Sequence, residues 1–267
     1  MKNKKALYAV TIVISILLVL AIPLTLVLVG FATPSVYADS YYGELPLMYE
    51  NIRSVKGKKI VIIGNSNVAF GVDSELIERE LASDGLEYKV CNFGLYGAIG
   101  TKAMLDLSKN YISEGDIVIF SPEADAQSLS LYFSGLETWR GVDGNWNMLS
   151  DLNGAGAIMT GSYPSFVAEK YKFKKSGAPQ GAGVYARDSF NARCDMKNAD
   201  RPYNTMSGGY DENNIIELDG GLFKKEFLTY VNDYYKHVVR AGAEMYFSFA
   251  PVNRAGVKDC SPTTVEK

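Results

Sequence analysis

The chain has 267 residues, 47% hydrophobic and 21% charged, with 27 Lys+Arg against 30 Asp+Glu, one histidine and three cysteines. That length suits one domain of about 200 residues with an appendage, or two small domains. The composition excludes a disordered chain, a collagen-like repeat and a disulfide-dense mini-protein. The lone histidine, His237, and three cysteines are too few soft ligands for a zinc cluster, and no cofactor is expected.

Lys2, Lys4 and Lys5 precede residues 6–38, which carry no charge at all. The apolar core of this stretch, residues 6–30, is 25 residues long. At about 1.5 Å per residue, a helix of that length covers the ~30 Å hydrocarbon layer with some tilt. Asp39, Glu44 and Glu50 follow it, and the next cation is Arg53. The positive-inside rule then puts the N-terminus in the cytoplasm and the rest of the chain outside, as a single-pass protein of the plasma membrane. A cleavable signal peptide is the alternative, because Val36-Tyr37-Ala38 fits a cleavage site. Its apolar region would be much longer than the usual 7–15 residues. Pro23 lies deep in the run and would at most kink it. Without the three lysines of this segment, 24 cationic side chains face 30 acidic ones, a net of −6. An acidic ectodomain does not hold nucleic acid by bulk attraction, so no nucleic-acid partner is expected.

Residues 33–56, with Tyr37, Tyr41, Tyr42 and two prolines, read as a stalk before a domain over residues 57–267. Lys58-Lys59-Ile60-Val61-Ile62-Ile63-Gly64 is a β-branched run too short for a helix, of the kind found in strands buried on both faces. Asp73 is the expected N-cap of a helix with Val72, Leu76, Ile77 and Leu81 on one face. A second strand is expected over residues 88–93, a second helix over 98–111 and a third strand over 116–120, stopped by Ser121-Pro122. Residues 163–175 are a plausible helix, and 176–221, rich in Gly, Asn and Asp, read as a long surface excursion. An amphipathic helix over 222–241 leads to a strand over 244–250, ended by Pro251. The β-α-β-α-β alternation predicts an α/β fold, a three-layer α/β/α sandwich with a mostly parallel sheet, preceded by the transmembrane helix of residues 1–32.

In open parallel sheets, ligands bind beyond the C-terminal ends of the strands. Four such ends are legible: Gly64-Asn65-Ser66-Asn67, the segment from Asn92 through Gly94 to Gly97, Ser121-Pro122-Glu123-Ala124-Asp125, and Pro251-Val252-Asn253. The first turn is neither a dinucleotide fingerprint nor a P-loop, because the second glycine and the Lys-Ser/Thr pair are lacking. It leaves Ser66 two residues past a central strand and near a helix N-terminus. There a hydroxyl can meet a substrate carbonyl while backbone N–H groups face the developing oxyanion.

Ile60-Val61-Ile62-Ile63-Gly64-Asn65-Ser66-Asn67 resembles the first block of the SGNH (GDSL-type) hydrolases, a family with a flavodoxin-like sheet whose Gly-Asp-Ser carries the nucleophile. Asn92-Phe93-Gly94 resembles their second block, and Ser121-Pro122-Glu123 stands where the third, Gly-x-Asn-Asp, belongs. The anchor and the Gly-x-Ser-Asn turn make the chain most similar to the membrane-anchored, extracytoplasmic branch, which includes a protein of D-alanyl-lipoteichoic acid biosynthesis. The resemblance covers residues 58–125 and, more loosely, 222–253.

It implies Ser66 as nucleophile, Gly94 N–H in the oxyanion hole, Asn67 as oxyanion support and Glu123 at the third-block position. It further implies a serine esterase or O-acyltransferase acting on an acylated glycan or other cell-envelope polymer. Glu123 departs from the family's Asn, since a carboxylate cannot donate to an oxyanion unless protonated. The Asp-x-x-His block that supplies the family's base is not in these 267 residues, so the family pattern implies a continuation and little esterase activity for this form. The alternative is a non-catalytic module that binds envelope polymer or a membrane-bound acyltransferase.

Plainer roles stand beside these. Ser66 fits an ordinary helix-capping turn residue, Gly94 and Gly97 fit tight βα geometry, and Glu123 with Asp125 fits a solvated pair. His237 reads as a surface or helix-end residue, one turn from Asp233. The aromatic content suits packing or a sugar-binding face equally. Cys91 reads as a buried thiol, and Cys194 and Cys260 as loop residues able to form a disulfide.

Overall fold

The computed structural model describes residues 2–95, 97–181, 183–197, 222–251 and 257–258. In chain order the elements are α1 (Lys2–Ala32), α2 (Glu44–Ser54), β1 (Lys59–Gly64), α3 (Ser66–Gly71), α4 (Ser74–Ser83), β2 (Lys89–Gly94), α5 (Thr101–Lys109), β3 (Ile117–Ser121), α6 (Gly135–Gly141), α7 (Gly156–Phe173), α8 (Lys225–Arg240) and β4 (Glu244–Phe247). The four strands form one sheet in the order β2-β1-β3-β4, and every pairing is parallel.

Side chains alternate across this sheet. Val61, Ile63, Cys91, Phe93, Val118 and Phe120 point to one face, where they join Leu45, Met48 and Ile52 of α2, Met104 and Leu107 of α5, and Phe227, Tyr234 and Val238 of α8 in the main core. Ile60, Ile62 and Val90 point to the other face and pack against Val68, Val72, Ile77 and Leu81. Each large apolar side chain buried this way contributes about 1.5–3 kcal/mol of transfer free energy. Asp73 caps α4 as expected, accepting from the Leu76 N–H at 2.9 Å, but Leu76 itself lies on the exposed side of that helix.

The starts of β1 and β3 are clasped by a buried ion pair. Lys59 Nζ lies 2.6 Å from Asp116 Oδ2, and the Lys59 N–H donates to Asp116 Oδ1 at 3.0 Å. β4 is shorter than the apolar run that encodes it. It is an edge strand, with Tyr246 and Phe247 about half exposed rather than covered on both faces.

Residues 33–56 do not behave as a stalk. Val36, Tyr37, Tyr41, Leu45, Met48, Tyr49 and Ile52 are all buried in the main core. Their spacing within α2 is that of an amphipathic helix, with one stripe facing the sheet. α1 is also tied to the domain by direct contacts. Lys170 of α7, wholly buried, donates to the carbonyls of Gly30 (3.0 Å) and Thr33 (2.7 Å) and to Asp143 Oδ1 (2.7 Å). Asp143 Oδ2 in turn accepts from the Val36 N–H at 2.9 Å. The last carbonyls of α1 thus meet a cation, the charge that the negative end of a helix dipole favours.

Candidate functional site at the strand ends

The C-terminal ends of β2, β1 and β3 stand in register, with Gly64 beside both Gly94 and Ser121. From this line the chain leaves β1 through Asn65 directly into α3, so Ser66 is the first residue of a helix and stands at the mouth of the sheet, half-buried. Ser66 Oγ donates to Glu123 Oε1 at 2.9 Å, and the Asn67 N–H donates to the same oxygen at 3.2 Å. Glu123 follows β3 by two residues, so the first and third motifs meet in space. Its carboxylate is an acceptor for the serine hydroxyl, not a donor toward an oxyanion.

The other expected donors are engaged within the protein. Asn67 Nδ2 donates to the Ser121 carbonyl at 2.9 Å, tying α3 to the end of β3. The Gly94 N–H donates to Asn92 Oδ1 at 3.2 Å. Gly94 also has a packing reason for being glycine, since a Cβ there would stand 2.5 Å from Val68 Cβ and 2.6 Å from the Ala69 nitrogen. That close approach lets α3 sit flush on the ends of β1 and β2.

Several supporting residues escaped the sequence reading. Buried Asn65 donates through Nδ2 to Ser128 Oγ at 2.5 Å and accepts from Thr101 Oγ1 at 3.4 Å. Ser128 donates to Asp125 Oδ2 at 2.6 Å, and Asp125 Oδ1 accepts from the Gln127 and Ser128 N–H groups. Asp125 is therefore a turn-capping residue rather than half of a solvated pair. The Asp-x-x-Ser spacing of Asp125 and Ser128 was the available signal, being an Asx-turn pattern after a strand.

Tyr41 also belongs to this region. Its ring lies against Phe70 of α3, Tyr185 and Phe190, with centroids 5.5–6.1 Å apart. Burial pushes its hydroxyl pKa up, and the nearby carboxylates of Glu44 and Glu123 push it further. Beside these rings a cleft of about 510 Å³ opens between Tyr41, Tyr42, Tyr185, Pro179 and Gln180.

His237 lies elsewhere. Its Nε2 is 3.0 Å from the carbonyl of Lys109, the last residue of α5, while Asp233 pairs with Lys236. α5 starts beyond the end of β2 and runs back to the start of β3, so His237 sits toward the opposite end of the strands from Ser66. Cys91 is a buried thiol, and burial lifts its pKa to about 11. Cys194 is also fully buried, with positive φ and its Sγ near the Glu44 carbonyl, whereas Cys260, like Tyr96, Val252 and Asn253, lies outside the described residues. Compared with known protein families, curated proteins and solved structures, the chain matches none.

Proposed function

We propose that this protein is a membrane-anchored, extracytoplasmic serine esterase or O-acyltransferase of the SGNH-like type, acting on an acylated glycan or other polymer of the cell envelope. The observation that carries this reading is the hydrogen bond from Ser66 Oγ to Glu123 Oε1 at the strand ends. A serine alcohol attacks an acyl carbon only when a positioned group takes its proton. Here the positioned group is a carboxylate, a weaker base than an imidazole, so turnover is slow. The tyrosine-lined cleft beside the site suits stacking on a sugar ring, and the acidic ectodomain argues against a polyanion held by bulk charge. The three-layer sandwich belongs to the same reading, supported by helices packed against both faces of β1. So does the orientation, with residues 1–5 cytoplasmic and the domain outside, supported by the lysines before the apolar run.

A second reading is a non-catalytic module of the same shape that binds envelope polymer or a membrane-bound acyltransferase. Two donors expected at the oxyanion, Gly94 N–H and Asn67 Nδ2, already donate within the protein, and this favours it. The test is covalent. A fluorophosphonate is expected to form an adduct on Ser66, and slow hydrolysis of an aryl ester is expected to vanish in Ser66→Ala. In Glu123→Gln, which can accept the hydrogen bond but not the proton, turnover should fall by roughly 10²-fold or more. No adduct, together with aryl-ester turnover unchanged in both variants, would give the site to the binding module.

A further inference from the structure

α7 runs beside α1 in the same direction. The Tyr163 hydroxyl donates to the Val27 carbonyl at 2.9 Å, the Val167 side chain abuts Gly30, and Lys170 reaches Gly30 and Thr33. Both sequences rise together along this contact. Residues 156–162, which precede Tyr163 in α7, therefore lie on the N-terminal side of this contact, within about 10 Å of helix length from it.

Val27 lies within the apolar stretch Leu7–Ala32, whose 26 residues have a hydropathy of 3.1. Such a helix is about 39 Å long against a ~30 Å hydrocarbon layer, and Val27 is about 8 Å below its end. When the stretch is centred, Val27 falls inside the layer. The segment itself is uncharged, and the charged side chains that meet its start, Lys102 and Asp106, pair with each other beside Asn153. Residues 152–168 carry no charge, and Glu169, Lys172, Lys174 and Lys175 come only after α7 has climbed past Gly30. Ala157, Ile158, Thr160 and Gly161 are exposed, Ile158 by 52%. Aromatic residues gather where the two helices meet: Phe31 packs on Trp146 at 4.5 Å, and Trp139 packs on Tyr163 at 4.8 Å. Tyr and Trp favour the headgroup level of a bilayer.

We propose that residues 156–162 of α7 are embedded in the lipid of the leaflet from which α1 emerges, so that the domain touches the bilayer through two elements and not through a single tether. The occupant of this exposed helix face is the boundary between acyl chains and headgroups. The proposal rests on α1 spanning the membrane.

The experiment uses the full chain in vesicles of phosphatidylglycerol and phosphatidylcholine, photolabelled by a carbene precursor dissolved in the lipid phase, with labelled sites mapped by peptide mass spectrometry. Labelling of residues 156–162 is expected at a level comparable with that of α1. Leu86 and Tyr246, which are as exposed as Ile158 but distant from α1 in the fold, should stay unlabelled. Label confined to α1 would overturn the proposal and leave the span intact. Label on neither segment would overturn both. Cross-linking of residues 156–162 to another polypeptide in place of lipid would also overturn it.

Discussion

Among single residues, Glu44 shows most plainly how position overrides residue type. It opens α2, a favourable place for a carboxylate at the positive end of a helix, yet it is fully buried. Arg187 Nη1 lies 2.6 Å from one carboxylate oxygen, but neither oxygen has a well-aligned hydrogen bond. Burial pushes this carboxyl up to about 7 against the pull of Arg187. Its native pKa is thus above that of the unfolded chain, and between pH ~4.5 and ~7 the native state holds more protons. Across that window the Glu44 contribution loses stability as pH rises, by roughly 3 kcal/mol or less. Glu44→Gln should remove this loss, so its chemical-denaturation stability should gain on the wild type between pH 5 and 7.5 and level off above. A constant difference across that range would refute the assignment. Ser66 and Glu123 teach a related lesson. Their residue types were legible, but that the two meet in space was not.

At the scale of elements, the contact of α7 with the end of α1 is the least expected and the most consequential. A lysine in the last turn of a helix reads as a solvated residue. Lys170 instead has all three ammonium protons engaged by the Gly30 carbonyl in the last turn of α1, the Thr33 carbonyl just past its end and Asp143, with both charged side chains buried. Removing one member of such a buried pair leaves the other charge uncompensated, at a cost of about 3–5 kcal/mol. Lys170→Met should therefore lower the thermal midpoint in detergent and open the chain to proteases between Thr33 and Val36. Asp143→Asn added to it should recover part of the loss. If Lys170→Met matches the wild type in both measurements, the clasp contributes nothing to the junction. α2 belongs to the same scale. Its apolar positions were spaced for a helix, but the tyrosines and prolines around them suggested an extended stalk.

For the whole molecule, the domain is joined to its apolar helix by burial rather than by a linker. Phe31 and Gly30 pack on α7 and the loop before it, and the main core continues through residues 36–52. A junction held by these contacts sets the height of the strand-end site above the membrane if α1 spans it. Protease added to intact protoplasts should then digest the domain and leave a membrane fragment containing α1. Complete protection would reverse the proposed orientation. Release of a soluble product beginning near Asp39 would replace the anchor with a cleaved signal, and it would also sever Val36 and Tyr37 from the core they help to fill.

Strand positions, the parallel α/β order and the apolar N-terminal helix were legible in the sequence, because each is written in local periodicity and in runs of one residue class. Ser66, Gly94 and Glu123 were legible as strand-end residues for the same reason, since a strand's end is marked by the glycine or proline that stops it. The tertiary structure alone decided that Glu123 accepts from Ser66, that Gly94 donates to Asn92, and that His237 stands toward the other end of the strands. It also decided that Tyr41 packs on Phe70 of α3 and that Lys170 meets the end of α1. Ser66 and Glu123 are 57 positions apart and Gly30 and Lys170 are 140 apart, and no local pattern specifies which distant partner meets a buried polar group. Only packing density and the need to satisfy each buried donor and acceptor select it.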